Sequence, residues 1–227
     1  MSTKYPELTV TALYADPSTS IAYPYLQSCT YPWEILATLP DVIRSIGETL
    51  SLEEYERRDG DVWVARSAKI APSASITGPA ILCPEAEIRH CAYLRGSTIV
   101  GRGAVVGNST ELKNCILFDG VQVPHYNYVG DSILGYKSHL GAGALTSNVK
   151  SDKSPVTVRL REERVETGRK KLGAMLGDFV EVGCHAVLNP GTVIGRVSNV
   201  YPLSSVRGYV PADSICKSGT LIVPKRK

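Results

Sequence analysis

The chain has 227 residues, of which 43 % are hydrophobic and only 7 % aromatic, and its formal net charge is +3. These values describe a globular protein; they exclude a disordered chain and, on global charge, a strongly basic nucleic-acid binder. No apolar run approaches 18 residues, so no membrane helix is expected.

The opening, Met1 to Pro6, lacks an apolar stretch, so no signal peptide is expected. Six cysteines (Cys29, Cys83, Cys91, Cys115, Cys184, Cys216) show no CxxC pairing and read as reduced residues of a cytoplasmic protein. Residues 1–30 have no clear period. Thr38-Leu39-Pro40-Asp41 reads as a helix start, with a capping residue, an early Pro and an acid in the first turn. Val42, Ile43 and Ile46 continue it as an apolar stripe that Gly47 ends. Ser51-Leu52-Glu53-Glu54 reads as a second short helix by the same capping logic. Residues 1–61 are therefore expected to cap whatever follows.

From Val64 an apolar residue recurs every sixth position: Ile70, Ile76, Leu82, Ile88, Leu94, Val100, Val106 and Leu112. With about half of residues apolar, chance gives nine such matches roughly once in five hundred. A second column, four residues on, runs Ala68, Ala74, Ala80, Ala86, Ala92, Thr98, Ala104, Thr110. Six residues step about 240° around an α-helix, so no helical face can hold them. Six and four are both even, so in strands the two columns share one side. Short strands and turns stacked into a β-solenoid satisfy both columns. Its narrow interior accounts for having only two Phe and two Trp.

Five-residue steps lead from Leu112 to Leu117 and from Val129 to Leu134. The count lapses after Ala144 and returns at Leu176, Val182, Leu188, Ile194, Val200 and Val206. The later small column reads Val180, Ala186, Thr192, Ser198, Ser204, Val210. The solenoid is expected over 62–217, with 149–171 looping out as an insertion and 218–227 as a basic tail. The insertion holds eight basic and four acidic residues, a net +4, leaving −1 for the rest.

The hexads resemble those of the hexapeptide-repeat acyltransferases. Glu111-Leu112-Lys113-Asn114-Cys115, Pro124-His125-Tyr126-Asn127-Tyr128-Val129-Gly130-Asp131-Ser132, Leu140-Gly141-Ala142-Gly143 and Thr146-Ser147-Asn148 narrow the likeness. They are similar to the acetyltransferase half of bifunctional sugar-1-phosphate nucleotidyltransferase/acetyltransferases. Tyr31-Pro32-Trp33-Glu34 and Thr167-Gly168-Arg169-Lys170-Lys171-Leu172-Gly173 resemble segments of the archaeal type. The resemblance covers about residues 31–215. It implies a left-handed parallel β-helix, acetyl-CoA as co-substrate, an amino-sugar phosphate as acceptor, and a homotrimer. Neither nucleic acid nor membrane is an expected partner. Some 60 residues before the repeats cannot hold a nucleotidyltransferase domain.

Arg95 and Lys113 each follow a large-column residue and lie 18 residues apart. Three hexads per coil would stack them on one corner, roughly 4.8 Å apart at the backbone. Stacked cations repel unless an anion sits between them; solvated, splayed side chains are the alternative. The resemblance makes the pair a sugar-phosphate site. Asn127 breaks the small column, a local irregularity beside His125. The resemblance makes His125 the general base, a role that suits a neutral imidazole. It also makes Tyr128, Asn148 and Lys153 substrate contacts, and the Ala142 N–H an oxyanion donor. His139, Gly141, Gly143 and Cys184 fall on its cofactor side; at His139, bacterial relatives carry Asn. A non-catalytic trimeric assembly module is the competing reading. A zinc hydratase would need three converging His, and none follows His125 within five residues. No metal is expected for acetyl transfer.

Overall fold

The computed structural model describes residues 3–226. From Val62 onward the chain winds as a parallel β-solenoid with three faces, numbered by the strands of the first coil: Val62–Ala65 on the first, Lys69–Ile70 on the second and Ser75–Thr77 on the third. Val62–Ala65 pairs with Ala80–Leu82 in the register Val62↔Ala80, Val64↔Leu82, so three hexads make one coil. The same register carries Leu82 over Val100, then Leu117, Leu134, Leu176 and Ile194. Two faces join into one 14-stranded sheet because Glu111–Leu117 and Tyr128–Leu134 run through the corner between them; the other face belongs to a 9-stranded sheet.

Both sequence columns point inward. The large column from Leu82 onward is buried, and the small column packs beside it through Ala80, Ala86, Ala92 and Ala104. The last coil departs from the count. Val210 lies over Ile194, in the large column rather than the small one. The chain between them is two residues short of three hexads.

Most of the N-terminal segment lies along the solenoid rather than over its open end. It runs as short helical turns, including Val10–Leu13, Tyr23–Leu26, Pro32–Ala37 and Leu39–Gly47, along the first face. That face presents an outward stripe of Trp63, Ile81, Ile99, Ile116, Ile133, Met175 and Val193, all buried. Outward residues of a strand are wet unless something covers them. Here Leu13, Tyr14, Leu36, Leu39 and Ile43 do so, each fully buried. The Tyr14 and Phe118 rings lie 4.7 Å apart, and Asp178 Oδ2 accepts from the Ala15 N–H at 2.8 Å. The hexad count sees only inward residues, so it gave no sign of this strap.

Ser51–Glu54 is one turn, not a helix: Tyr55 N–H bonds Ser51 O and the chain enters the strand Tyr55–Arg58. That strand pairs antiparallel with Val62–Ala65 and blunts the first open edge. Leu221–Pro224, within the expected basic tail, does the same against Ser214–Ser218 at the far end. The 149–171 insertion leaves at Asn148 and returns at Leu172, whose N–H donates to Asn148 O at 3.0 Å. It does not project freely. Its hairpin, Thr157–Leu160 with Glu163–Glu166, lies back on the first face beside Val193 and Tyr209, burying Val158, Leu160 and Val165. Among the described residues no helix is long and apolar enough to cross a membrane.

Candidate functional site

The corner between the third and first faces carries the polar cluster. Two five-residue steps tighten it, and Asn114 and Asp131 turn the chain there at φ +50° and +48°. Short polar residues tolerate this left-handed conformation better than most. Asp131 is 2 % exposed, and three side chains bond its carboxylate. Asn148 Nδ2 donates to Asp131 Oδ2 at 2.6 Å, and Lys113 Nζ reaches the same oxygen at 3.3 Å. Asn114 Nδ2 donates to Oδ1 at 2.8 Å. Asn148 Nδ2 also donates to the Tyr128 hydroxyl at 3.2 Å. Burial first, and the Asp131 charge second, raise the Tyr128 hydroxyl above its ordinary value of 10.0, so it stays protonated. Burial lowers the half-buried Arg169 guanidinium, and the Asp131 charge opposes that shift.

Lys113 and Asn148, expected from sequence, therefore meet at one carboxylate, and Tyr128, also expected, joins them through Asn148. Asp131 and Arg169 join this site without being among the residues expected there from sequence. The signal for Asp131 was the shortened step between Val129 and Leu134.

Arg95 and Lys113 do share the corner on adjacent coils, following the register Leu112↔Leu94. They are not bare stacked cations. Arg95 Nη1 bonds Glu111 Oε1 at 2.6 Å, and Lys113 pairs with Asp131. The protein supplies acids that the stacking argument assigned to a ligand.

His125 lies at the other edge of the third face, exposed. Its backbone accepts the Gly143 N–H at 3.0 Å, so the Gly141-Ala142-Gly143 turn stacks directly over it. Asn127 explains its own irregularity. Its Oδ1 accepts the His125 N–H at 3.1 Å, and its Nδ2 donates to Gly141 O and Ala144 O at 2.9 Å each. A buried amide thus braces the His125 turn to the Gly141–Ala144 turn. Ala142 N–H has no acceptor among the described residues, but the same holds for the N–H of Cys184 one coil on.

His139, Gly141 and Cys184 line a common groove of about 520 Å³ on the second face, with Tyr201 and Pro202. His139 Nδ1 lies 2.9 Å from Glu181 Oε2. Lys153 stands apart from these groups, exposed in the turn that begins the insertion.

Residues 76–199 match the family described as GMPPB C-terminal domain. The chain belongs to this family. Its fold is the left-handed parallel β-helix of hexapeptide-repeat proteins. The chain is 31 % identical to the Bifunctional protein GlmU of Methanococcus maripaludis over 206 residues, 89 % of this chain and 50 % of that protein. It is 34 % identical over 152 residues to the Bifunctional sugar-1-phosphate nucleotidylyltransferase/acetyltransferase of Sulfurisphaera tokodaii, 67 % of this chain and 38 % of that one. The chain spans about half the length of the curated relatives it matches, on their acetyltransferase portion. Among solved structures, the acetyltransferase domain of PglB from Neisseria gonorrhoeae with acetyl coenzyme A is 17 % identical. The likeness covers 73 % of this chain and 58 % of that one, with a TM-score of 0.33.

Proposed function

We propose that the chain is an acetyl-CoA-dependent N-acetyltransferase acting on an amino-sugar 1-phosphate such as glucosamine 1-phosphate. The observation that carries this reading is the cluster around Asp131, which holds Lys113, Tyr128 and Asn148 on one corner beside Arg95. Two hydrogen-bonding groups with two cations suit a phosphorylated sugar. The Arg95–Glu111 pair joins an exposed guanidinium to a partly exposed carboxylate, and such surface pairs contribute about 0–1 kcal/mol. A phosphate can therefore replace Glu111 at little cost. Lys113 keeps its buried partner and presents its remaining donors outward.

In the reaction the sugar amine attacks the thioester carbonyl carbon. A C–N bond forms, the C–S bond breaks, and coenzyme A leaves as its thiol. His125 accepts the proton that the amine releases, a role open to a neutral imidazole in an exposed turn. The Ala142 N–H, one coil above, stabilises the oxyanion. His139, Gly141, Gly143 and Cys184 form the acyl-CoA side, supported by the groove that three of them line. Lys153, which stands apart in the turn that begins the insertion, would reach the sugar phosphate only by moving toward the Asp131 corner. Acetyl transfer of this kind draws on no metal. The proposed assembly is a homotrimer, as the resemblance implies.

The test is release of free thiol from acetyl-CoA with glucosamine 1-phosphate. His125→Ala should reduce turnover by about 10²–10⁴-fold, the range for loss of a general base. Unchanged turnover would overturn the base assignment. Absence of binding of either substrate by calorimetry would leave the chain as an assembly module.

A further inference from the structure

The insertion hairpin and the coil beneath it enclose a small cavity of about 180 Å³ that the acetyl-transfer reading does not use. Lys150, Arg159, Arg164 and Arg207 line it, with Thr157 and Pro190, and no acidic residue does. The four cations come from three separate stretches of chain. Arg159 and Arg164 are direct cross-strand partners in the hairpin. Like charges directly opposite are unfavourable in an antiparallel pair. Neither has an acidic partner within ion-pair distance among the described residues. Lys150 lies within 3.7 Å of Asp152, and Arg207 donates to the Asn189 side chain at 3.2 Å, which anchors its guanidinium at the corner.

The hairpin's seat on the coil is fixed. A Cβ at Gly191 would lie 2.5 Å from the Thr157 carbonyl oxygen, and one at Gly208 would lie 2.6 Å from Arg159 Cβ and 2.7 Å from its carbonyl oxygen. Both glycines have positive φ, near +77° and +81°. The hairpin backbone therefore approaches the coil closely at two points, which holds Arg159 and Arg164 beside Arg207 on that coil. Concentrated cations in a fixed, partly enclosed site attract a multivalent anion, and guanidinium groups match phosphate oxygens in pairs.

We propose that this cavity binds a phosphate-bearing ligand carrying at least two negative charges, held by Arg159, Arg164, Arg207 and Lys150. Inorganic diphosphate is the probe. The full chain should bind it in calorimetry, with affinity that weakens as salt is raised. The double substitution Arg159→Gln with Arg164→Gln should raise Kd at least tenfold. Lys170→Gln with Lys171→Gln removes the same charge outside the cavity and should leave Kd within twofold. Should the double arginine variant not fold, Arg207→Gln carries the same expectation from the solenoid side. No diphosphate binding by the wild type, equal binding by the arginine variants, or equal loss in the lysine control would each overturn the proposal.

Discussion

Asn148 and Asp131 lie 17 residues apart and join through a 2.6 Å hydrogen bond, at the point where the insertion leaves the coil. The returning chain closes over the same residues, with Leu172 N–H on Asn148 O and Gly173 N–H on Asp131 O at 2.9 Å. The insertion's exit and return are thus tied to the corner where the proposed sugar site lies.

Asp131→Asn tests that relationship. The carboxamide keeps the shape but cannot accept at both oxygens or balance Lys113 and Arg169. The expected result is a KM for the amino-sugar phosphate raised about tenfold, which corresponds to about 1.4 kcal/mol. The KM for acetyl-CoA, whose groove lies on another face, should stay the same. Steady-state kinetics with each substrate varied in turn makes the comparison. An increase confined to acetyl-CoA would place the sugar elsewhere.

Asn127→Ala removes three hydrogen bonds and leaves the carbonyls of Gly141 and Ala144 without that donor. An unsatisfied buried group costs about 1–3 kcal/mol. At about 2–4 °C per kcal/mol for a chain of this size, Tm should fall by several degrees. Turnover should fall with it, because the His125 turn loses its brace to the Ala142 turn. Thermal unfolding and the thiol-release assay read the two effects separately. An unchanged Tm would show that backbone contacts alone hold the two turns.

The hexad columns made the solenoid interior legible, since inward positions obey a strict size rule. They gave no information on outward positions, where Ile81, Ile99, Ile116 and Ile133 look like ordinary solvent-facing strand residues. What buries them is a segment of irregular short turns with no period to read. The same limit applied at the site. Lys113, Tyr128 and Asn148 stood in recognisable motifs. The acids that pair Arg95 and Lys113 come from adjacent coils, at separations of 16 and 18 residues. Asn127 was visible as a broken rule, but its partners follow only from the stacking of two turns.

Gly47→Ala tests the strap. Gly47 ends the helix Leu39–Gly47, yet its φ is not among the positive values, so a left-handed turn is not its reason. A Cβ there would lie 2.3 Å from Trp63 Cε2. The helix approaches the solenoid over the Trp63 ring, and any side chain would push it away. Overpacking of this kind costs about 1–3 kcal/mol. The variant should unfold at lower temperature, and amides of residues 39–47 should exchange hydrogen faster than those of the coils. Equal exchange in both would argue that strap and solenoid unfold as one unit.

The anchor at Asp178 gives the strap a pH dependence. Asp178 accepts the N–H of Ala15 and of Tyr136, and Arg196 Nε lies 3.7 Å away. Burial, the largest influence, nevertheless raises its carboxyl above the ordinary 3.8, against the lowering effect of those donors and Arg196. Asp119, half-buried two coils away, is raised for the same reason. In the unfolded chain both groups lose their protons near 3.8. Between that pH and the raised native values the folded state binds more protons, so stability declines as pH rises. The contribution is fully present below about 3.8 and is lost as pH passes the native values. Asp178→Asn carries no titrating group at that position. The stability of the wild type relative to Asp178→Asn should therefore be greater at pH 3.5 than at pH 7, measured from urea midpoints at each pH. A difference that grows toward pH 7 would mean that the two backbone donors and Arg196 outweigh burial at this carboxylate.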